Sequence, residues 1–164
     1  MKIEAVMNKA VISLSPDDTI LKASLKLSEK NISGAPVVNA EGALVGIFSE
    51  ADVFKSMKIS KKALRLIYPS LTSVSVAFQE QETEQEALVA YREVENLKVG
   101  DVMTTEVFTA HPDEELRDAI KLMVSKGINR LPVINGDTKV IGIITRGDIL
   151  KGIAMESNNH NSNK

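Results

Sequence analysis

The sequence predicts an α/β (α+β) protein built from two β-α-β-β-α units that are related by pseudo-two-fold symmetry. The chain of 164 residues repeats itself at a fixed offset of 96 positions, with 16 identities between residues 2–57 and 98–153. Each copy holds continuous apolar runs, which suit strands covered by helices, and one apolar pattern of helical period. Because a unit of about 55 residues has a marginal core, we expect the two copies to pack together.

The first copy predicts three strands and two helices. Proline and acidic residues are favoured in a first helical turn, so a helix is expected to start at Pro16-Asp17-Asp18 and to run through Lys30. Asn39 to Gly42 has the composition of a hairpin turn, and a second helix is expected to start at Ser49. The predicted strands are Val11–Leu14, Ala35–Val38 and Leu44–Phe48.

The second copy predicts the same order of elements. Its helices are expected over Asp113 to Lys126 and from Thr145 onward. The predicted strands are Val107–Thr109, Leu131–Ile134 and Val140–Ile144.

The repeat predicts domains at residues 1–57 and 98–155, with a connection at 58–97 and a disordered polar tail at 156–164. The connection has no counterpart in the repeat. We expect a helix over Ile59 to Ile67, a strand over Thr72 to Phe78, and an acid-rich helix over Glu80 to Glu95.

Composition excludes several classes of function. There is no cysteine, and only His111 and His160 supply imidazole, which argues against a transition-metal site. The net charge of −2 argues against nucleic-acid binding. No stretch reaches the roughly 20 apolar residues of a membrane helix, and the first residues lack a signal-peptide core, so a cytoplasmic location is expected.

Two sets of motifs, in the same order in both copies, carry a family resemblance. The first copy has Pro16 to Ala23, Ala35-Pro36-Val37-Val38 and Gly46-Ile47-Phe48-Ser49-Glu50-Ala51-Asp52. The second has Pro112 to Leu116, Asn129-Arg130-Leu131-Pro132-Val133-Ile134 and Gly142-Ile143-Ile144-Thr145-Arg146-Gly147-Asp148. The copies resemble CBS domains, and their pairing resembles a Bateman module. The resemblance implies a disk-like module with two clefts between the repeats, a homodimer, and binding of AMP, ADP, ATP or S-adenosylmethionine as a regulatory ligand, with no required cofactor.

The stretch Gly-Ile-x-Ser/Thr-x-x-Asp suits such a ligand in physical terms. Gly46 or Gly142 would permit close approach of a backbone or a ligand, and free N–H groups at the following helix start favour an anion. Asp52 or Asp148 could accept both hydrogens of a ribose diol. The same spacing is also that of an ordinary helix capping box, so both interpretations stay open.

The resemblance implies further contacts. The backbone around Ser33, Ala35, Asn129 and Leu131 would flank an adenine, and Ser13 and Thr109 would touch the base or sugar. Pro36 and Pro132 belong to the same motifs, although they could simply shape the entry of a strand. The predicted ligand-binding residues are Ser13, Ser33, Ala35, Pro36, Ser49, Asp52, Thr109, Asn129, Arg130, Leu131, Pro132, Thr145, Arg146 and Asp148.

The two copies differ in charge at these motifs. Arg130 and Arg146 of the second copy are replaced by Gly34 and Glu50 in the first. Arginine binds phosphate through several donors, whereas a carboxylate repels it. We therefore expect the second copy to prefer phosphorylated ligands, and the first to be empty, weak, or selective for a neutral or cationic adenosine compound.

Two other functions compete with the sensor. Signatures of an acyl hydrolase, a P-loop and a zinc protease are absent, so an enzyme is not expected. A ligand-free dimeric scaffold is the alternative, with the acidic helix as a docking surface. In either case the regulated protein would be another, unidentified molecule.

Overall fold

The computed structural model describes the backbone of residues 1–57 and 80–161 and the side chains of residues 1–57 and 84–158. Within these residues the chain forms six α-helices, one short 3-10 helix and two small sheets, so the fold is mixed α+β as predicted. The 3-10 helix is Ile3–Ala5. The helices are α1 (Ile20–Glu29), α2 (Glu50–Ser56), α3 (Glu80–Val94), α4 (Val99–Val102), α5 (Leu116–Lys126) and α6 (Arg146–Asn161), and the strands are β1 (Gly34–Val38), β2 (Leu44–Ser49), β3 (Arg130–Ile134) and β4 (Val140–Thr145).

Both predicted hairpins are present. Strands β1 and β2 form one two-stranded sheet, and β3 and β4 pair antiparallel in the other. Asn39 and Asn135 shape the two turns in the same way, because each side-chain oxygen accepts two backbone N–H groups further along its turn. The sequence repeat is therefore also a repeat of turn geometry.

Positive backbone φ angles recur at equivalent positions of the two copies. Asn31 (φ 51°) corresponds to Gly127 (φ 64°), and Gly42 (φ 80°) corresponds to Thr138 (φ 60°). A left-handed conformation costs little for glycine and more for a β-branched residue. The backbone repeats even where the side chain, as at Thr138, does not favour it.

The first predicted strand of each copy is not a strand in the structure. Leu14 and Ala110 each form one isolated β-bridge, and the residues just before them have no regular secondary structure. Ala110 pairs parallel with Val133, with its N–H donating to the oxygen of Pro132 at 3.0 Å and its oxygen accepting from Ile134 at 3.0 Å. The proline two residues beyond each bridge leaves too short a run for more pairing.

Both first helices begin later than predicted. Helix α1 starts at Ile20, with the Thr19 hydroxyl accepting from the N–H of Lys22, and α5 starts at Leu116. Pro16 to Asp18 form a turn instead, in which the Asp18 carboxylate accepts from the N–H of Ser15 at 2.9 Å. The backbone oxygen of Asp18 accepts from the N–H of Val99 at 2.8 Å, so this group pairs with another segment rather than within the helix.

The chain divides into two compact units that do not follow the repeats linearly. One unit comprises Met1–Ser13, Pro36–Gly46 and Thr105–Lys164, and the other comprises Leu14–Ala35 and Ile47–Thr104. We define the N-terminal arm as residues 1–8 and the second arm as residues 97–104. Each arm therefore belongs to the same unit as most of the body of the other copy. The first unit has a core of Ile3, Ala110, Leu116, Ala119, Met123, Leu131, Val133, Ile144 and Ile149.

The two arms are held by equivalent contacts. Lys2 forms a bridge with Glu115 in the first unit, and Lys98 forms the equivalent bridge with Thr19 in the second. The Lys2 ammonium lies 2.8 Å from Glu115, and the Lys98 ammonium lies 2.7 Å from Asp17. The hydrogen bond from Lys2, helped by the Met1 amino group, lowers the pKa of Glu115 from 4.5 to about 2.

The acidic helix predicted for Glu80 to Glu95 is present as α3. The helix predicted over Ile59 to Ile67 and the strand over Thr72 to Phe78 lie outside the described residues. The predicted disordered tail differs from the structure, because α6 continues to Asn161. A formed helix extends at one hydrogen bond per added residue, which favours continuation into the polar segment. No helix in the described parts of the chain combines the length and apolarity that crossing a membrane requires.

Thr138→Gly is expected to raise the free energy of unfolding by about 0.5–1 kcal/mol, because the strain of a β-branched residue at positive φ is removed. Gly42→Thr is the matched control, since it places a β-branched residue at the equivalent positive φ and a Cβ there meets no atom within 4 Å. It should lower stability by a similar amount. Urea unfolding measures both, and shifts of the same sign would contradict this account.

Glu115→Gln is expected to remove a pH-dependent part of the stability. The folded-state pKa of Glu115 is below its ordinary value, so its contribution is complete above about pH 4.5 and is lost as the pH falls towards 2. The difference in unfolding free energy between wild type and variant should therefore shrink over that window. Because the carboxylate is exposed, added salt should shrink it too. A difference that is constant with pH would refute the pairing.

Candidate functional site

Two equivalent strand-to-helix turns carry the predicted site residues. In the second unit, β2 ends at Ser49 and α2 begins at Glu50, and in the first unit β4 ends at Thr145 and α6 begins at Arg146. We call the turn with Ser49 and Asp52 the first corner, and the turn with Thr145 and Asp148 the second corner. In each, the aspartate lies one helical turn beyond the hydroxyl residue, which places both side chains at the helix start.

The second corner is closed by three hydrogen bonds between Thr145 and Asp148. Asp148 Oδ2 accepts from the Thr145 N–H at 2.8 Å and from its hydroxyl at 2.6 Å. The Thr145 hydroxyl oxygen accepts from the Asp148 N–H at 3.4 Å. Within the described residues, Asp148 Oδ1 has no hydrogen-bond partner, and the residue is half-buried.

The first corner has the same internal bonds and one more. Asp52 Oδ2 accepts from the N–H of Ser49 at 2.8 Å and from its hydroxyl at 2.9 Å. Asp52 Oδ1 accepts from the Thr104 hydroxyl at 3.1 Å. Only 5% of the Asp52 surface is exposed. This corner is therefore engaged on both carboxylate oxygens.

The helix-capping interpretation is correct for both corners, but it does not use the whole carboxylate. A carboxylate has about four lone-pair sites for hydrogen bonds. The bonds described above occupy two on Asp148 and three on Asp52. Among the described residues, both lone-pair sites of Asp148 Oδ1 are without a donor. Two neighbouring hydroxyl groups of a ligand could therefore donate to this oxygen together.

The corners also differ in charge. Arg146 is the first residue of α6, its side chain is exposed, and it forms no salt bridge within the described residues. Arg130 stands opposite Thr145 in the pairing of β3 with β4. At the first corner the corresponding residues are Glu50 and Gly34. The helix of the second corner thus begins with an exposed arginine where the helix of the first corner begins with a glutamate.

The backbone before each hairpin reaches its corner. The Ser33 oxygen accepts from the N–H of Glu50 at 3.1 Å, and the Asn129 oxygen accepts from the N–H of Arg146 at 3.3 Å. Ser33 therefore lies next to the first corner, and Asn129 lies next to the second.

The other predicted residues are placed unequally. Thr109 precedes Ala110, which binds the Pro132 oxygen, so Thr109 lies beside β3. Ser13 and Pro36 belong to the first unit, whereas Ser49 and Asp52 belong to the second. Four predicted residues have buried side chains and can offer a ligand only backbone atoms; they are Ala35, Pro36, Leu131 and Pro132.

Gly142 serves a contact within the protein. A Cβ at Gly142 would lie 2.6 Å from the Met7 sulfur, so the missing side chain makes room for the N-terminal arm. The sequence left open whether this glycine admits a protein segment or a ligand. In the first unit it admits the N-terminal arm.

Sequence reasoning missed Thr104 and a groove. Thr104 reaches Asp52 because its backbone pairs with Ile47, a contact for which a repeat alignment gives no signal beyond the difference between Thr104 and Asn8. The groove, of about 940 Å³, lies in the second unit between α1, α2 and α3. Ser24 Oγ is buried beside it without a hydrogen-bond partner among the described residues. The lining residues are Ser24, Leu27, Ser28, Asn31, Ile32, Ser33, Glu50, Val53, Phe54, Met57, Glu84, Ala87, Leu88 and Tyr91.

The family model of the CBS domain matches the chain twice, at residues 3–59 and 99–155. These two matches cover more than half of the chain and coincide with the two sequence copies. The chain belongs to the CBS-domain family and carries a tandem pair of these domains.

Three similar proteins illustrate the relationship. The uncharacterized protein MJ1426 of Methanocaldococcus jannaschii is 39% identical over 155 residues, which cover 93% of this chain and 91% of that protein. The crystal structure of CBSX2 in complex with AMP is 25% identical with a TM-score of 0.68, and the match covers 95% of this chain and 98% of that chain. The CBS domain pair of MJ0100, in complex with 5-methylthioadenosine and S-adenosyl-L-methionine, is 22% identical with a TM-score of 0.67, covering 95% and 98%. The chain spans 23% to 62% of the length of several other curated relatives.

Asp52→Ala is expected to lower the free energy of unfolding by about 0.5–1.5 kcal/mol more than Asp148→Ala. The first change loses one more hydrogen bond, the one from the exposed Thr104 hydroxyl, and it removes a carboxylate that is more deeply buried. The two variants are matched controls for each other because their capping bonds are equivalent. Equal losses in urea unfolding would contradict the difference between the corners.

Proposed function

We propose that this chain is a non-catalytic regulatory module that binds a phosphorylated adenosine compound, such as AMP, ADP or ATP, at the second corner. The proposal rests above all on Asp148 Oδ1, an acceptor on a half-buried side chain that has no hydrogen-bond partner among the described residues. A ribose presents two adjacent hydroxyl donors, which this oxygen can accept together.

The surrounding charges favour a phosphorylated ligand. Arg146 and Arg130 would offer planar sets of N–H donors to phosphate oxygens. At the first corner, Glu50 would repel phosphate, and Asp52 has less accepting capacity to offer. The two corners of one chain are therefore expected to differ in ligand affinity.

The relatives support the ligand class to different degrees. A CBS-domain structure of 25% identity carries AMP, which supports an adenosine nucleotide here. The pair with S-adenosyl-L-methionine and 5-methylthioadenosine is 22% identical, so it supports the fold and makes these compounds comparison ligands rather than first candidates.

A bound nucleotide would act through a second molecule. Binding at the second corner would favour one arrangement of α6 and β3, and a partner protein with different affinity for the two arrangements would sense it. The partner is an unidentified regulated protein, and the module is proposed to act as a homodimer. Exposed apolar side chains, which suit an interface, occur on α6 at Leu150, Ile153 and Met155.

Isothermal titration with AMP is expected to show binding to wild type and to Asp52→Ala, and a loss of at least tenfold in affinity for Asp148→Ala. The loss follows from removing the acceptor of the ribose hydroxyls, which are worth about 1.4 kcal/mol or more together. S-adenosylmethionine and GMP serve as comparison ligands in the same titrations.

Arg146→Glu gives this corner the charge of the first corner and should weaken AMP more than adenosine. Unchanged AMP affinity in Asp148→Ala, or equal losses from both aspartate variants, would contradict the proposed site.

A further inference from the structure

We propose that Thr104 silences the first corner, and that replacing its hydroxyl creates a second adenosine site on this chain. This inference rests on the proposed function, because it assumes that an accessible aspartate of this type binds the sugar. It adds the residue that decides how many ligands one chain takes.

The Thr104 hydroxyl donates a hydrogen bond to Asp52 Oδ1 at 3.1 Å. A ribose hydroxyl would donate to the same atom from a similar distance. The threonine hydroxyl therefore satisfies, from within the protein, the acceptor that a sugar would otherwise use. The 5% exposure of Asp52 accords with an acceptor that is already covered.

The second corner shows what happens without such a residue. Asn8 occupies the position equivalent to Thr104, because Asn8 pairs with Ile143 as Thr104 pairs with Ile47. The paired N–H and oxygen atoms lie at 2.9–3.0 Å in both pairs. In each copy the aspartate follows the paired isoleucine by five positions, so the arms approach the two corners in the same way.

The side chains at these matched positions act differently. Asn8 Oδ1 accepts from the N–H of Ala10 at 2.9 Å, which turns the amide towards its own backbone. Asp148 Oδ1 consequently receives nothing from the arm. The difference between Thr104 and Asn8 at this matched position thus decides whether the arm donates a hydrogen bond to Oδ1 of the aspartate.

Exchanging these two residues tests the inference. Thr104→Asn should turn towards its own backbone, release Asp52 Oδ1 and add a second bound AMP per chain. Asn8→Thr should supply a hydroxyl to Asp148 Oδ1 and weaken the existing AMP site about tenfold, since the ligand must then displace a hydrogen bond to a charged group. Isothermal titration gives the number of ligands per chain and the affinity for each variant.

Matched controls separate the hydroxyl from the fold. Thr104→Ser keeps the hydroxyl and should keep one AMP per chain, whereas Thr104→Ala removes it and should behave as Thr104→Asn does. Thr105→Asn changes a neighbouring exposed threonine that makes no hydrogen bond through its side chain within the described residues, and it should change nothing. Thermal unfolding of each variant confirms that it is folded before titration.

The outcomes distinguish this inference from the proposed function. The role of Thr104 would be overturned if the wild type bound two AMP molecules per chain. It would also be overturned if Thr104→Asn and Thr104→Ala each bound only one. In both cases the proposed Asp148 site would still hold. No AMP bound by wild type together with one bound by Thr104→Asn would overturn the Asp148 site alone. No binding by any variant would overturn both.

Discussion

The bond between a hydroxyl residue and the aspartate three positions later is the constraint on which both corners depend. It fixes the start of the helix after each hairpin, and it orients the carboxylate so that only Oδ2 is used for capping. Capping and ligand binding are therefore compatible roles of one side chain. The structural role keeps the carboxylate in place, and the remaining oxygen is the part that can respond to a ligand.

The exchange of arms between the units gives this arrangement a further consequence. Each arm lies in the unit that contains most of the body of the other copy, so the arm residue beside each corner comes from the start of the other copy. Duplication alone would give two equal corners. Divergence at a single arm position, Asn8 against Thr104, is enough to make them unequal without altering either hairpin or either capping bond.

Much of the fold could be predicted because its signals are local. The hairpin turns follow from Asn39 and Asn135, and the helix at 80–94 follows from its composition. The first strands and the first helix starts were predicted wrongly. The strands are cut short by the proline two residues beyond each bridge, and the backbone oxygen of Asp18, which a local pattern assigns to the helix, accepts from the N–H of Val99 in a distant segment instead. No local pattern contains that information.

The geometry of the two corners was predictable to a similar degree. The aspartates and hydroxyl residues follow from the motif, and the charge difference follows from reading Arg146 against Glu50. The occupied state of Asp52 does not, because Thr104 is remote in sequence and meets it only through the pairing with Ile47. A crystal structure of the protein with AMP would decide whether Asp148 holds the sugar of an adenosine nucleotide. Both ribose hydroxyls should lie within hydrogen-bonding distance of Asp148 Oδ1, with the phosphate towards Arg146 or Arg130. AMP bound away from Asp148, with Oδ1 still unengaged, would contradict it.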